Sequence, residues 1–272
     1  MTVAVKEVRL RSFQPFPRRE LRRLRASWLR RNWDVVGFLA VGFTLMAALI
    51  TVPLSMSDLP GRWYLLGFLH AGLAAAALHL CNSAFLAHEG TAVWQLRGAW
   101  GEENTRSELQ KAKRRRVIWG WVDSITLRDG DLDHVVVTRS GGIVVLDSKW
   151  RSAVDARSIA EMTASAKRAG ARAQGLARTL LKSERGVKHR ASAQPVTVVS
   201  VVVLWGAVRQ TVPDGHEVDG VHFVDGRKLV PWLRQLGGPS VPSEAARDVL
   251  EQLKDYRATA FKAAQERAPG RR

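Results

Sequence analysis

The stretch DLDHVVVTRSGGIVVLDSKW, residues 131–150, decides how the chain folds. Residues 132–138 (LDHVVVT) and 143–150 (IVVLDSKW) are β-branched and apolar, the composition of strands. Between them lies Arg139-Ser140-Gly141-Gly142, a turn sequence. Two strands enclosing a glycine-containing turn predict a β-hairpin. A three-residue loop over Arg139, Ser140 and Gly141, with Gly141 left-handed, is a favoured form. In that register Asp133 lies directly opposite Asp147. Side chains alternate faces along a strand, so Lys149 points the same way as Asp147. Two carboxylates and an ammonium then converge on one face. A one-residue slip would set Asp147 against His134 and separate them.

Two neighbouring carboxylates repel, and a divalent cation between them relieves the cost. All-oxygen ligation with retained waters suits Mg²⁺ or Mn²⁺. Such an ion polarises a phosphate and generates hydroxide from water. Lys149 would then stabilise the charge developing at phosphorus or position the attacking water. That is a coherent site for phosphodiester hydrolysis. The plainer reading is a solvent-exposed ion pair between Asp147 and Lys149. Against it, Asp147 ends the strongly apolar run 143–146, and a nearly buried carboxylate needs a partner or an ion.

Outward from the hairpin, residues 117–122 read as a strand and 89–112 as a lead-in followed by a helix. Residues 113–116 are a basic run, and 156–183 carry Ala, Arg and Leu at helical spacing. Pro195 precedes 196–204, a continuous apolar run with the length of a buried strand. Residues 221–224 form a short strand. Residues 227–235 and 243–266 look helical, with Ser243 a candidate cap, and a short basic tail follows Arg267. Helix, three strands, helix, strand, strand, helix predicts an α/β domain with a mixed sheet and helices packed on it.

The pattern Gly-Ala-Trp-Gly-Glu (98–102), Asp-Leu-Asp-His-Val-Val-Val (131–137) and Gly-Ile-Val-Val-Leu-Asp-Ser-Lys (142–149) resembles the NERD, or nuclease-related domain, family. That family is similar to the PD-(D/E)XK nucleases. The resemblance covers roughly residues 95–205, and the hairpin is its specific part. It implies a restriction-endonuclease-like α-β-β-β-α-β core. It implies Asp133 as a metal-binding Asp, Asp147 and Lys149 as the (D/E)xK element, and Glu102 as a third acidic site and metal residue on the opening helix. Gln174 matches the polar helix position of such domains. Many members have Glu and Thr where this chain has Asp147 and Ser148. The activity implied is Mg²⁺- or Mn²⁺-dependent cleavage of nucleic acid, DNA more than RNA. The rival readings are a non-catalytic nucleic-acid-binding module and a membrane-associated adaptor of the same fold.

The 272 residues carry 42 Lys and Arg against 25 Asp and Glu, a net charge of +17, which favours polyanionic partners. One cysteine, Cys81, excludes an intrachain disulfide and a multi-cysteine zinc site. The charge is uneven. Residues 1–34 hold ten basic and three acidic residues, whereas 35–88 hold only Asp58 and Arg62. Residues 35–56 are uncharged, enough for a helix to cross a bilayer core of roughly 30 Å. A second apolar run covers 63–87. Soluble helices keep a polar stripe, and the first run has none. The chain therefore divides into a basic arm (1–34), a transmembrane hairpin (35–88; spans 35–56 and 63–87), a nuclease-like domain (89–240) and a C-terminal helix with its basic tail (241–272). Arginines 18, 19, 22, 23, 25, 30 and 31 precede the first span and only Arg62 lies in the loop. The positive-inside rule then places both termini in the cytoplasm. The arm would touch anionic headgroups, or alternatively nucleic acid. The Arg- and Ala-rich composition fits a bacterial protein.

Several motifs point elsewhere and are weaker. His134 is expected to face away from Asp133 as a packed core histidine. His189, His216 and His222 lack metal-ligand spacing. Ser140 and Ser148 have no evident His/Asp partners, and no phosphate loop exists. Arg157, Lys167, Arg168, Arg172, Arg178 and Lys182 form a mostly solvated helix face. Trp119, Trp121 and Trp150 are read as packing residues before base-stacking ones.

Overall fold

The computed structural model describes residues 16–127, 129–184, 198–207 and 216–266. Its elements are α1 (Phe16–Arg31), α2 (Trp33–Ser55), α3 (Arg62–His88), α4 (Gly90–Arg114), β1 (Ile118–Leu127), β2 (Gly130–Thr138), β3 (Ile143–Trp150), α5 (Ala156–Glu184), β4 (Val198–Trp205), β5 (His216–Val218), β6 (Val221–Asp225), α6 (Leu229–Gln235) and α7 (Ser243–Glu266). They fall into two compact units, Met1–Arg97 and Gly98–Arg272. His189, Pro195 and the basic tail lie outside the described residues, as does the arm before Phe16.

In the second unit a six-stranded sheet runs in the order β1-β2-β3-β4-β6-β5. β1, β2 and β3 form an antiparallel meander, β3, β4 and β6 are parallel, and β5 is an antiparallel edge. Val137 faces Ile143 and His134 faces Leu146, the register expected from the loop length. One further step sets Asp133 against Asp147. Thr138 N donates to Gly142 O at 3.0 Å and closes the loop, with Gly141 at φ +87°. A Cβ on Gly141 would also lie 2.8 Å from the Gly237 carbonyl oxygen, so this position demands glycine twice over.

Both faces of the sheet are covered, which is why β3 opens on the apolar run 143–146 and β4 is apolar at every position but Ser200. On one face Val136, Val144, Leu146, Val201 and Val203 pack with Leu109 and Ala112 of α4 and Leu229 and Leu233 of α6. On the other, Val135, Val137 and Val145 meet Ala169, Ala173 and Ala177 of α5 and Leu253 of α7. Each such fully buried Val or Leu contributes about 1.5–3 kcal/mol.

Several features differ from expectation, among them the edge strand β5 and the helix α1 within the basic arm. The opening helix has no lead-in: α4 is continuous from Gly90, since nothing between Thr91 and Glu102 breaks a helix once Glu89 and Gly90 have ended α3. β1 is longer than residues 117–122 and contains Ser124 at φ +49°. Val122 and Ile125, three apart, therefore share one core layer, which strict alternation forbids. The left-handed residue supplies the missing rotation.

In the first unit α2 and α3 pack on each other, joined by a turn ending at Gly61, and Thr51 Oγ1 lies 2.9 Å from His70 Nε2. No residue of α2 is buried, and α3 buries only Leu66 and Phe85. Phe38, Leu49, Tyr64 and Phe68 are exposed. Both helices are long and apolar enough to cross a membrane. α1 is anchored by Trp28, whose ring meets Phe85 edge-on at 5.9 Å, and by an Arg31–Glu89 ion pair.

Candidate functional site

The expected site residues gather at the carboxyl end of β3. Lys149 Nζ lies 2.8 Å from Asp147 Oδ1, and Ser165 Oγ of α5 donates to Asp147 Oδ2 at 3.3 Å. Asp133 Oδ2 accepts the Ser148 backbone N–H at 3.0 Å, so its carboxylate continues the hairpin where the backbone pairing ends. Glu102 comes from α4 and is buried, as is Asp147. Three hydrogen-bonding side chains hold α4 to the strand ends. Thr105 Oγ1 donates to Gly101 O at 2.9 Å, accepts Trp205 Nε1 at 2.9 Å and lies 2.8 Å from Ser148 Oγ. The approach is close enough that a methyl on Gly101 would touch Ser148, Trp150 and Trp205.

Electrostatics bind these groups into one unit. Burial pushes the Glu102 carboxyl up to about 8, with the Asp133 charge adding to the rise and Arg106 opposing it. Burial and the facing Asp147 push Asp133 up to about 6, against His134, Lys149 and the Ser148 N–H. Burial pulls Lys149 down, but Asp147 and Asp133 outweigh it and hold the ammonium above its ordinary range. Acids are thus crowded beyond what one lysine neutralises.

A sign follows for stability. A carboxyl whose folded value is raised binds more protons folded than unfolded. The stability tied to Glu102 and Asp133 is full below their ordinary values of 4.5 and 3.8 and is lost as pH rises through about 8 and about 6. The metal-free protein should therefore melt several degrees lower at pH 8.5 than at pH 5, and Glu102→Gln should flatten the profile. A melting temperature that climbs across this range would contradict the assignment.

A second polar centre lies beside the first, and sequence reasoning missed it. Asp123 of β1 accepts from His134 Nδ1 at 2.7 Å, Trp121 Nε1 at 2.8 Å and Arg106 Nε at 2.9 Å. Burial pushes the Asp123 carboxyl up, but His134 and Arg106 outweigh it and hold the group below its usual range. His134 is fully buried, the packed histidine expected. The available signal was a carboxylate inside an apolar strand, but its partner depended on the β1–β2 register, which places Asp123 opposite His134. From α5 it is Ser165 that reaches the site. Gln174 lies nine residues further along the helix, about 13.5 Å at 1.5 Å per residue. On the same helix Arg157 pairs with Glu161 and Lys167 with Asp219, in keeping with a solvated face.

The chemistry of the donor set suits a hard divalent cation: the Asp133 and Asp147 carboxylates are close enough to repel each other, and Mg²⁺ is commonly bound by one or two carboxylates plus waters and substrate phosphate. Among the described residues no group of three or more His, Cys, Asp or Glu is spaced to hold a metal ion, so Glu102 is a neighbour of the pair and not part of a ready-made three-ligand cage.

The mixed α/β domain thus carries Asp147 and Lys149 at the end of the central strand β3, Asp133 on β2 and Glu102 on the covering helix α4. Residues 97–205 match the family model NERD, the nuclease-related domain, and the chain carries such a domain from α4 to the end of β4. No curated protein and no solved structure matches the chain.

Proposed function

We propose that the protein is a membrane-anchored nuclease that hydrolyses phosphodiesters of nucleic acid, DNA before RNA. The observation that carries this reading is the Lys149–Asp147 pair at 2.8 Å with Asp133 across the hairpin and Glu102 beside it. Asp133 and Asp147, with Glu102 in support, would hold Mg²⁺ or Mn²⁺, which supplies phosphate polarisation and an acidified water. Lys149 holds its ammonium where negative charge grows on the phosphoryl oxygens, and Asp147 keeps it oriented. Ser165 and the Ser148 N–H restrain the two carboxylates before substrate arrives.

Substrate binding draws on charge. Between α4 and α6 an open cavity of about 560 Å³ is lined by Arg115 and Arg227, by Lys111 paired with Glu108 at 2.7 Å, and by Asn104 and Ser107. Such a groove suits a phosphate backbone and makes binding salt-dependent. The deciding experiment is an Mg²⁺-dependent cleavage assay on the full chain with Asp133→Ala and Lys149→Ala alongside. Salt-sensitive binding without cleavage would leave a binding module, and neither activity would leave an adaptor.

The anchor reading rests on the exposed apolar surfaces of α2 and α3, which water would penalise and lipid would not. The excess of arginine before α2 puts both termini in the cytoplasm and the loop between the spans outside. The protein should remain in the membrane pellet through an alkaline carbonate wash, and a cysteine introduced at Ser57 should react with an impermeant thiol reagent from outside. Release into the supernatant would rule out the spans.

A further inference from the structure

We propose that the outer face of α1 binds the headgroups of anionic phospholipids at the membrane surface, where the chain enters its first span. This rests on the anchor reading and gives it a lipid partner. The sixteen residues of α1 include seven arginines and one acid, Glu20. The helix has two unlike sides. Leu21, Leu24 and Trp28 recur at helical spacing and turn inward, where they pack with Phe85 of α3 and Ala92 of α4. The Trp28 ring also lies 6.3 Å from His88. Arg22, Arg23, Arg25 and Arg30 fall outside that stripe and are exposed. Arg23 has Glu20 at 3.8 Å, and Arg31 has Glu89. Arg22, Arg25 and Arg30 have no acidic partner among the described residues.

Their position selects the partner. Only Asn32 separates Arg31 from Trp33, the first residue of α2. Asn32 N donates to Trp28 O at 2.9 Å and Val36 N donates to Asn32 O at 3.1 Å, so backbone hydrogen bonds run through the joint and leave it no slack. At about 1.5 Å per residue, Arg30 and Arg25 lie within roughly 5 and 12 Å of Trp33 along the chain. The screening length at physiological salt is about 8 Å, so anionic headgroups at the entry to the span act on both. Trp33 is 74 % exposed, and Leu29, one turn after Arg25, is 37 % exposed. Apolar side chains interleaved with unpaired cations suit the boundary between phosphates and acyl chains. A nucleic-acid backbone would use the cations alone. Trp28, buried on α3, also keeps the helix from leaving the bilayer surface to follow a free polymer.

The test is lipid retention by the full chain in mild detergent, read by native mass spectrometry with dioleoylphosphatidylglycerol and dioleoylphosphatidylcholine added in equal amounts. The anionic lipid should be retained at least about 5-fold more, and the preference should fade at high salt. The triple variant Arg22→Gln, Arg25→Gln, Arg30→Gln should lose most of it. A control triple variant of equal charge change, Arg168→Gln, Arg178→Gln, Arg247→Gln, removes exposed arginines of the second unit and should keep it. Oligonucleotide affinity should be the same in the wild type and the α1 variant. No preference for the anionic lipid, a preference that survives the α1 changes, or one lost equally in the control overturns the proposal and leaves the anchor reading standing. Loss of oligonucleotide affinity in place of the lipid preference makes α1 a nucleic-acid arm and overturns it too. Release of the chain by the carbonate wash overturns the anchor and this proposal together.

Discussion

Lys149→Ala should lower Mg²⁺-dependent cleavage by about 10²–10³-fold, the usual cost of removing one preorganised stabiliser of transition-state charge. The ammonium is 2.8 Å from Asp147 and is held charged by two carboxylates, so it is present in its working form throughout the neutral range. Its removal leaves the backbone untouched and leaves the cations between α4 and α6 in place, so nucleic-acid affinity should change only a few-fold. Loss in kcat with affinity retained is the signature of a group that acts on the transition state. Asp147→Asn should fall as far, because it keeps the shape and removes both a carboxylate of the proposed metal pair and the partner that aims the lysine. Full activity in Lys149→Ala would show that hydrolysis runs elsewhere.

Asp123→Ala should be the most destabilising single change near the site. One carboxylate satisfies His134, Trp121 and Arg106, and the backbone carbonyl of the same residue accepts Arg257 at 3.3 Å. Deleting it strands a fully buried imidazole and a half-buried guanidinium. Removing one partner of such a buried pair costs about 3–5 kcal/mol. For a unit of this size that is a fall of roughly 6–20 °C in melting temperature. Asp123→Asn should cost less, since its amide oxygen still accepts one of the three donors. Because the Asp123 carboxyl is held below its ordinary 3.8, the stability it adds is present above that value and is lost only as acid brings the pH beneath it. The two polar centres therefore respond to opposite ends of the pH scale. A melting temperature unchanged by Asp123→Ala would show that the network carries no load.

Much of the hairpin was legible because its information is local. A glycine that tolerates positive φ, a loop of three residues and a period of two place Asp133, Asp147 and Lys149 without any distant contact. The apolar helices were legible for the same reason: an uncharged run declares itself over one window. Glu102 entered through family resemblance and not through spacing, because 31 residues separate it from Asp133 and no periodicity reaches that far. Ser165 was invisible because hydroxyls recur along every helix, and only packing selects one of them. Gln174 was attractive as a polar residue on the right helix, yet its place along the axis sets it turns away from Asp147.

From residue order alone came the two apolar helices, the hairpin register and the expectation that Asp133, Asp147 and Lys149 share a face, since each depends on neighbours within a few positions. Three things depended on the folded whole: how closely α4 lies on the ends of β3 and β4, which serine of α5 meets Asp147, and how far Glu102 and Asp133 are driven from their usual acidity. Those depend on burial and on charges brought together from distant parts of the chain, and an extended polypeptide in water has neither.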